Sequence, residues 1–257
     1  MTWAALLLRQ VKFENRSFWR NPAAAAFTFA FPLMFLMIFN LAFGDNEVPG
    51  PDGPVNAATS FIIPAITAFA VINACYTNIA ISVTFARDQG VLKRVKGTPL
   101  PDWIYLAGRI VHAVFIAMIL VVIVVLAGKL FYNVDLPSTW PAFLFSLVVG
   151  AAAFSALGLA LTGFIPNADS SPAIVNFSIL PLLFISDIFI QIDDPPGWLE
   201  AVARFFPVKH FFEAMQTSFS PFTTGNGFEW GDLGIMGAWA IAGLSIAMRR
   251  FSWEPRR

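Results

Sequence analysis

Apolar residues in this chain gather in long uninterrupted blocks, neither alternating as in a half-buried strand nor recurring as a narrow stripe. The blocks run over residues 23–43, 57–86, 110–128, 140–165, 173–186 with 188–190 beyond Asp187, and 233–248. A hydrocarbon core about 30 Å thick needs about 20 apolar residues at about 1.5 Å rise each, and only a segment that satisfies its own backbone hydrogen bonds can cross it. The pattern therefore predicts an all-α integral membrane protein with six transmembrane helices, one transmembrane domain over residues 1–257. The last two blocks are short or interrupted, and Gln191 and Trp230 extend them toward the interface. The first block follows Arg9, Lys12, Arg16 and Arg20 as a secretory signal would. It is longer than a signal's apolar region of about 7–15 residues and has no clean small-x-small cleavage site after it, so it reads as a retained helix.

Three segments between the blocks carry patterns of their own. In residues 1–22, Trp3, Leu7, Val11 and Phe18 fall near one helical face while Lys12, Arg16 and Arg20 recur at intervals of four on another, which predicts a helix lying on the membrane surface. Residues 87–109 spend over twenty positions on a connection that needs only a few. Gly90, Gly97, Pro99 and Pro101 break this connection, and Val91, Leu92 and Val95 form an apolar ridge beside Lys93, Arg94 and Lys96. A short helix of that kind either docks into a groove on another protein or is a solvated basic loop. In residues 191–232, Trp198, Leu199, Val202, Phe205 and Phe206 keep helical spacing up to Pro207, and Phe211, Phe212, Met215 and Phe219 resume it. Glu200, Arg204, Lys209 and Glu213 make each half too polar to span, so two short re-entrant-type helices that dip into the outer leaflet or cap a pathway are expected, with plain interfacial packing as the alternative.

Composition agrees with a life in lipid: 57% of the 257 residues are hydrophobic and 12% charged, against roughly 25% charged in soluble domains. Lys plus Arg and Asp plus Glu number 16 each, so net charge gives no pointer to nucleic acid. The distribution is more telling. With both termini cytoplasmic, the inner segments hold thirteen of the sixteen basic residues, and only Lys129, Arg204 and Lys209 fall outside, where eleven of the sixteen acids lie, Asp45, Asp52, Asp193 and Asp232 among them. This positive-inside bias requires an even number of crossings of the cell membrane. Seven of the eight tryptophans sit at or beyond block ends, as amphipathic rings prefer, and Trp239 alone lies within one. The single cysteine, Cys75, sits in an apolar run and reads as a small buried hydrophobe.

The stretches FWRNP (18–22), RDQGVLKRVKGTPLP (87–101) and FFPVKHFFEAM (205–215) together resemble the type-2 ABC exporter permeases, most closely their daunorubicin-type drug-efflux branch. The middle stretch is the most specific, with Asp88 in the acidic place and Val95 where the branch often has Leu. The resemblance covers essentially the whole chain. It implies that residues 87–109 form a coupling helix entering a cleft on a nucleotide-binding ATPase subunit, with Arg87, Asp88, Gly90, Leu92, Lys93 and Arg94 as contacts. It also implies two ATPase copies and a second permease chain, either an identical copy or a close paralogue. ATP and Mg would be bound on the partner, with no cofactor on this chain.

The chemistry absent from the chain fits that picture. No G-x-x-x-x-G-K-[ST] stretch cradles a nucleotide here. Ionisable groups at depth, usual in proton- or ion-driven transporters, are confined to His112 and Asp187 near span ends, so a secondary transporter fits less well. An intramembrane enzyme would need a converging nucleophile and base, but His112 and His210 fall on opposite sides and no H-E-x-x-H or G-x-S-x-G pattern occurs. No metal site is expected. Asn73, Tyr76 and Thr77 share a face of the second helix, and Asn176 with Ser178 marks the fifth. They form either a substrate-facing stripe or interhelical hydrogen bonds. Within the resembled family the substrate is an amphiphilic drug or lipid, with polysaccharide as the alternative.

Overall fold

The computed structural model describes residues 2–44, 47–50, 53–56, 61–190, 192, 194–220, 223 and 225–254. Asp45, Asp52, Ala57, Gln191, Asp193, Arg256 and Arg257, which enter the sequence reading, lie outside the described residues.

Helix α1 (Trp3–Trp19) stops at Arg20, and Asn21 accepts from the Ala24 amide to cap α2 (Pro22–Phe43). A small antiparallel ribbon follows, β1 (Glu47–Gly50) paired with β2 (Gly53–Asn56), an addition to the all-helical expectation. The second apolar block is one continuous helix, Ile63–Asp88, made of α3 (Ile63–Ile72), a π turn (Asn73–Thr77) and α4 (Asn78–Asp88). Then come α5 (Val91–Lys96), α6 (Asp102–Tyr132), α7 (Trp140–Thr162), α8 (Ser171–Ile185), α9 (Gly197–Phe205), α10 (Pro207–Phe219) and α11 (Trp230–Arg250).

Five of these helices are long and apolar enough to cross a membrane: α2, the continuous helix, α6, α7 and α11. The fifth apolar block, expected as the fifth of six spans, forms the 15-residue α8, about 22 Å at 1.5 Å per residue and so short of the hydrocarbon thickness by itself. Asp187, in the left-handed region at φ 61°, ends its apolar run.

Helix α7 is the hub, packed against α3, α4, α6, α10 and α11. Its run of Ala, Ser and Gly lets neighbours come close. At Gly158 a Cβ would lie 2.7 Å from the Tyr76 carbonyl oxygen, so only glycine admits the π turn there. Phe154, Leu159, Ile66, Leu120 and Phe211 fill the core around it. Lipid-type surface lies outward: Leu41, Leu130, Phe131 and Phe177 are all more than 70% exposed.

The two ends of the bundle differ. At one end Glu14 of α1 meets Arg109 of α6 at 3.2 Å, Lys93 of α5 meets Glu254 at 3.7 Å, and Trp253 packs on Tyr105. At the other, the Ser138 hydroxyl donates to the Ser218 carbonyl and Phe228 stacks on Trp230. Helix α1 faces α6 with its polar residues Gln10 and Glu14, which are buried, while Trp3 is 61% exposed. Leu7, Val11 and Phe18 are half-buried on that same side, with Phe18 against Phe29 and His112, while Lys12, Arg16 and Arg20 are exposed, so the two faces fall as the pattern expects and the Glu14–Arg109 ion pair is added to the apolar one. Burial raises the Glu14 carboxyl above its usual range, against the lowering pull of Arg109 and of its bond from Gln10.

Candidate functional site: the elbow and the cleft behind it

The connection after the second apolar block is an ordered elbow rather than a loop. Helix α4 ends at Asp88, and Gly90 takes φ +71°, a turn that a side-chain-bearing residue adopts only with strain. After α5, Thr98 donates to the Val95 carbonyl, and Pro101 leads into α6, which begins eight residues before the apolar block starting at Ile110. The connection is therefore mostly helix.

Arg87 holds this elbow from beneath. Its side chain is almost fully buried and donates to the carbonyls of Thr162 (3.1 Å), Ile165 (3.0 Å) and Pro166 (3.0 Å). These belong to the last turn of α7 and the turn beyond it, where helix carbonyls have no intrahelical donors. Arg87 also pairs with Asp88 at 3.1 Å, whose second oxygen accepts from the Ala168 amide at 2.6 Å. Two neighbouring residues thus bind the α4–α5 corner to the α7–α8 turn.

This geometry divides the expected partner contacts. Lys93 and Arg94 are exposed, with Lys96 beside them, and present a basic surface. Arg87 and Leu92 are each 1% exposed, so neither offers a face to a soluble subunit in this conformation. The expectation of direct contact is corrected for these two: the guanidinium is consumed by backbone carbonyls, and Leu92 anchors α5 in the core. Asp88 is partly exposed but engaged internally, and Gly90 makes the turn.

Behind the elbow, α7, α8 and α11 frame an apolar cleft of about 230 Å³, lined by Phe154, Leu157, Leu161, Ile179, Leu182 and Trp239 among others. Its roof is the α9–α10 corner, Phe206 to Val208. Helix α9 ends at Phe205 and α10 starts at Pro207, the break that the sequence predicts. The Trp239 indole donates to the Phe205 carbonyl at 2.9 Å and its ring stacks on Phe206. This accounts for the one tryptophan inside an apolar block: it satisfies the open carbonyl of the corner. A hydroxyl pair, Tyr76 to Ser178 at 2.8 Å, marks the polar point of the cleft.

Of the polar stripe, Tyr76 and Ser178 reach that cleft. Asn73 and Thr77 are half-buried in the π turn, and Asn176 is exposed on α8 beside Phe177. Ser178, named in the sequence only as a marker, proves to be the partner of Tyr76. Its position three residues after the Val175 carbonyl, which its hydroxyl caps at 2.7 Å, gave no hint of that pairing.

A family model described as ABC-2 type transporter matches residues 4–219, a stretch that includes the elbow, the α7–α8 turn and the α9–α10 corner. This chain belongs to the ABC-2 type transporter family. It is a multi-pass membrane permease. Among the relatives it resembles, the probable multidrug ABC transporter permease YbhR of Escherichia coli K12 is 22% identical over 151 residues, 59% of this chain and 41% of that one. The chain thus spans about two fifths of the length of that relative. The putative transport permease YvfS of Bacillus subtilis strain 168 is 23% identical over 207 residues, 80% of this chain and 82% of that one. The daunorubicin resistance ABC transporter permease protein DrrB1 of Streptomyces coeruleorubidus is 26% identical over 186 residues, 70% and 62% of the two chains. The inward direction of Arg87 was not legible in the sequence, since an arginine at a helix end reads alike whether it points out or in.

Proposed function

We propose that this ABC-2 permease works as a pair of permease chains with two copies of a separate ATP-hydrolysing subunit, and that the pair exports an amphiphilic drug or lipid-like compound. The elbow carries this reading. Its outer face is a basic surface of Lys93, Arg94 and Lys96, and its underside is fastened through Arg87 and Asp88 to the α7–α8 turn. A push on the exposed face is transmitted to two helices that wall the cleft, which is how a soluble engine moves a membrane path. ATP and Mg are held by the partner.

The same proposal includes six crossings. In this reading α8, extended by Ser186–Ile190, completes the six, and the packing of both α1 and residues 251–254 at the elbow end supports an even number of passes. The basic residues gathered at that end orient it toward the cytoplasm, and α9 with α10 then dips in from the outer side. The mostly apolar cleft with one hydroxyl pair suits an amphiphile, and the names of YbhR and DrrB1 favour drug-like cargo.

The test is charge reversal of Lys93, Arg94 and Lys96 together, which leaves Leu92 and Arg87 in place. In proteoliposomes with the cognate ATPase, substrate-stimulated hydrolysis and efflux should both fall to background while the melting temperature is unchanged. Undiminished efflux in the variant, or efflux by the permease without any ATPase, overturns the proposal.

A further inference from the structure

At the end of the bundle away from the elbow, polar side chains from the close of α8, from α9 and α10, and from the first turn of α11 meet in a partly buried group. Two ion pairs are complete within it: Lys209 with Asp187 at 3.1 Å and Arg204 with Glu200 at 2.9 Å. That leaves His210, Glu213 and Asp232, whose candidate ligand atoms all lie within 4.8 Å of one another.

The His210 ring, 3% exposed, has its Nε2 2.7 Å from the Arg204 carbonyl oxygen and its Nδ1 2.8 Å from Asp232 Oδ1. A carbonyl oxygen only accepts, so Nε2 carries the hydrogen and Nδ1 turns a lone pair toward a carboxylate that also only accepts. A positive centre shared by Nδ1 and Oδ1 is required, either a proton between them or a metal ion to one side that both ligate. A proton supplies one, but it serves that pair alone. Glu213, one helical turn beyond His210, makes no hydrogen bond or ion pair within 4 Å among the described residues. Burial and the charge of Asp232 push its carboxyl above the usual range, against the milder pull of Arg204, Lys209 and His210. With Arg204 and Lys209 already paired, the ring nitrogen and the two carboxyl groups are left facing one another, a donor set that one divalent ion can bridge.

We propose that His210, Glu213 and Asp232 bind a divalent transition-metal ion, with zinc the ion whose mixed nitrogen and oxygen preferences fit best. The three side chains supply Nδ1 and two carboxylate oxygens, leaving a fourth tetrahedral position for water. The bond from Nε2–H to a backbone carbonyl is the support that metal-ligating histidines ordinarily have, because it fixes the tautomer and aims the free nitrogen. Such an ion staples α10 to α11 and so steadies the α9–α10 corner over the cleft. The inference stands apart from the export reading, since it needs neither partner nor cargo.

The test uses the untagged full chain in detergent, stripped with a chelator and titrated with zinc chloride. Wild type should retain about one zinc per chain after desalting and melt at higher temperature with zinc than with magnesium. Glu213→Gln and Asp232→Asn should each weaken zinc binding by about a hundredfold, at or above the ten- to hundredfold loss seen when only a supporting contact is removed. Without zinc, Glu213→Gln should melt no lower than wild type, because it removes a crowded carboxylate, so weaker zinc binding in that variant is not loss of fold. Zinc binding by both variants as tight as wild type, or no zinc retained by wild type, overturns the proposal and leaves a proton as the bridging cation.

Discussion

Replacing Arg87 with Met keeps most of the side-chain volume and removes every donor. Three carbonyls at the end of α7 then lose their partner, and Asp88 loses its ion pair, although the latter is softened because that carboxylate is 22% exposed and water reaches it. Deleting one member of a buried, hydrogen-bonded charge pair costs about 3–5 kcal/mol; the partial exposure of Asp88 argues for the lower end, about 3 kcal/mol. For a chain of this size each kcal/mol moves the melting temperature by about 2–4 °C, so the expected drop is about 6–12 °C. Arg87→Lys, which keeps the charge but cannot reach three carbonyls with one planar fork, should lose about half of that. Cys75, the single cysteine and fully buried, is a built-in reporter: a thiol-reactive dye stays dark until the bundle opens. A Met variant melting within about 2 °C of wild type, less than 1 kcal/mol on that scale, would mean that the guanidinium does not hold the α7–α8 turn.

Gly158→Ala should destabilise by about 1–3 kcal/mol, the usual cost of overpacking, because the new methyl meets the Tyr76 carbonyl at 2.7 Å; the same dye assay reads it, and an unchanged melt would deny the close approach of α7 to the π turn. Tyr76→Phe removes the hydroxyl bond to Ser178 at about 1 kcal/mol, and in binding assays it should weaken amphiphiles with a polar head while sparing pure hydrocarbons. Glu14 has a pKa raised above 4.5, so its ionised form is the one disfavoured in the fold. Its protonated form is favoured at low pH, so that contribution to stability is lost as pH climbs from 4.5 through the folded value, and Glu14→Gln should flatten this slope in melts taken across that range.

What the chain alone settled follows from lipid being a poor solvent for backbone and charge. Blocks of apolar residues near the length of a bilayer have no soluble alternative, so the helices at 22–43, 102–132, 140–162 and 230–250 were legible, as was the break at Pro207, whose ring fits the first turn of a helix better than its interior. The family, too, was legible in the elbow stretch.

Only packing decided the rest. Whether Arg87 points outward to a partner or inward to carbonyls depends on where the α7–α8 turn lies, and that turn is 75 residues away in the chain. Tyr76 finds Ser178 across 102 residues, and His210 finds Asp232 on the next long helix. Helical periodicity assigns α1 an apolar side but not the burial of Gln10 and Glu14 along it, which depends on Arg109 lying opposite. Hydrophobic pattern fixes which segments enter the membrane since that choice is made segment by segment against solvent. Hydrogen-bond and charge partners are chosen between segments, and a linear pattern holds no record of distance.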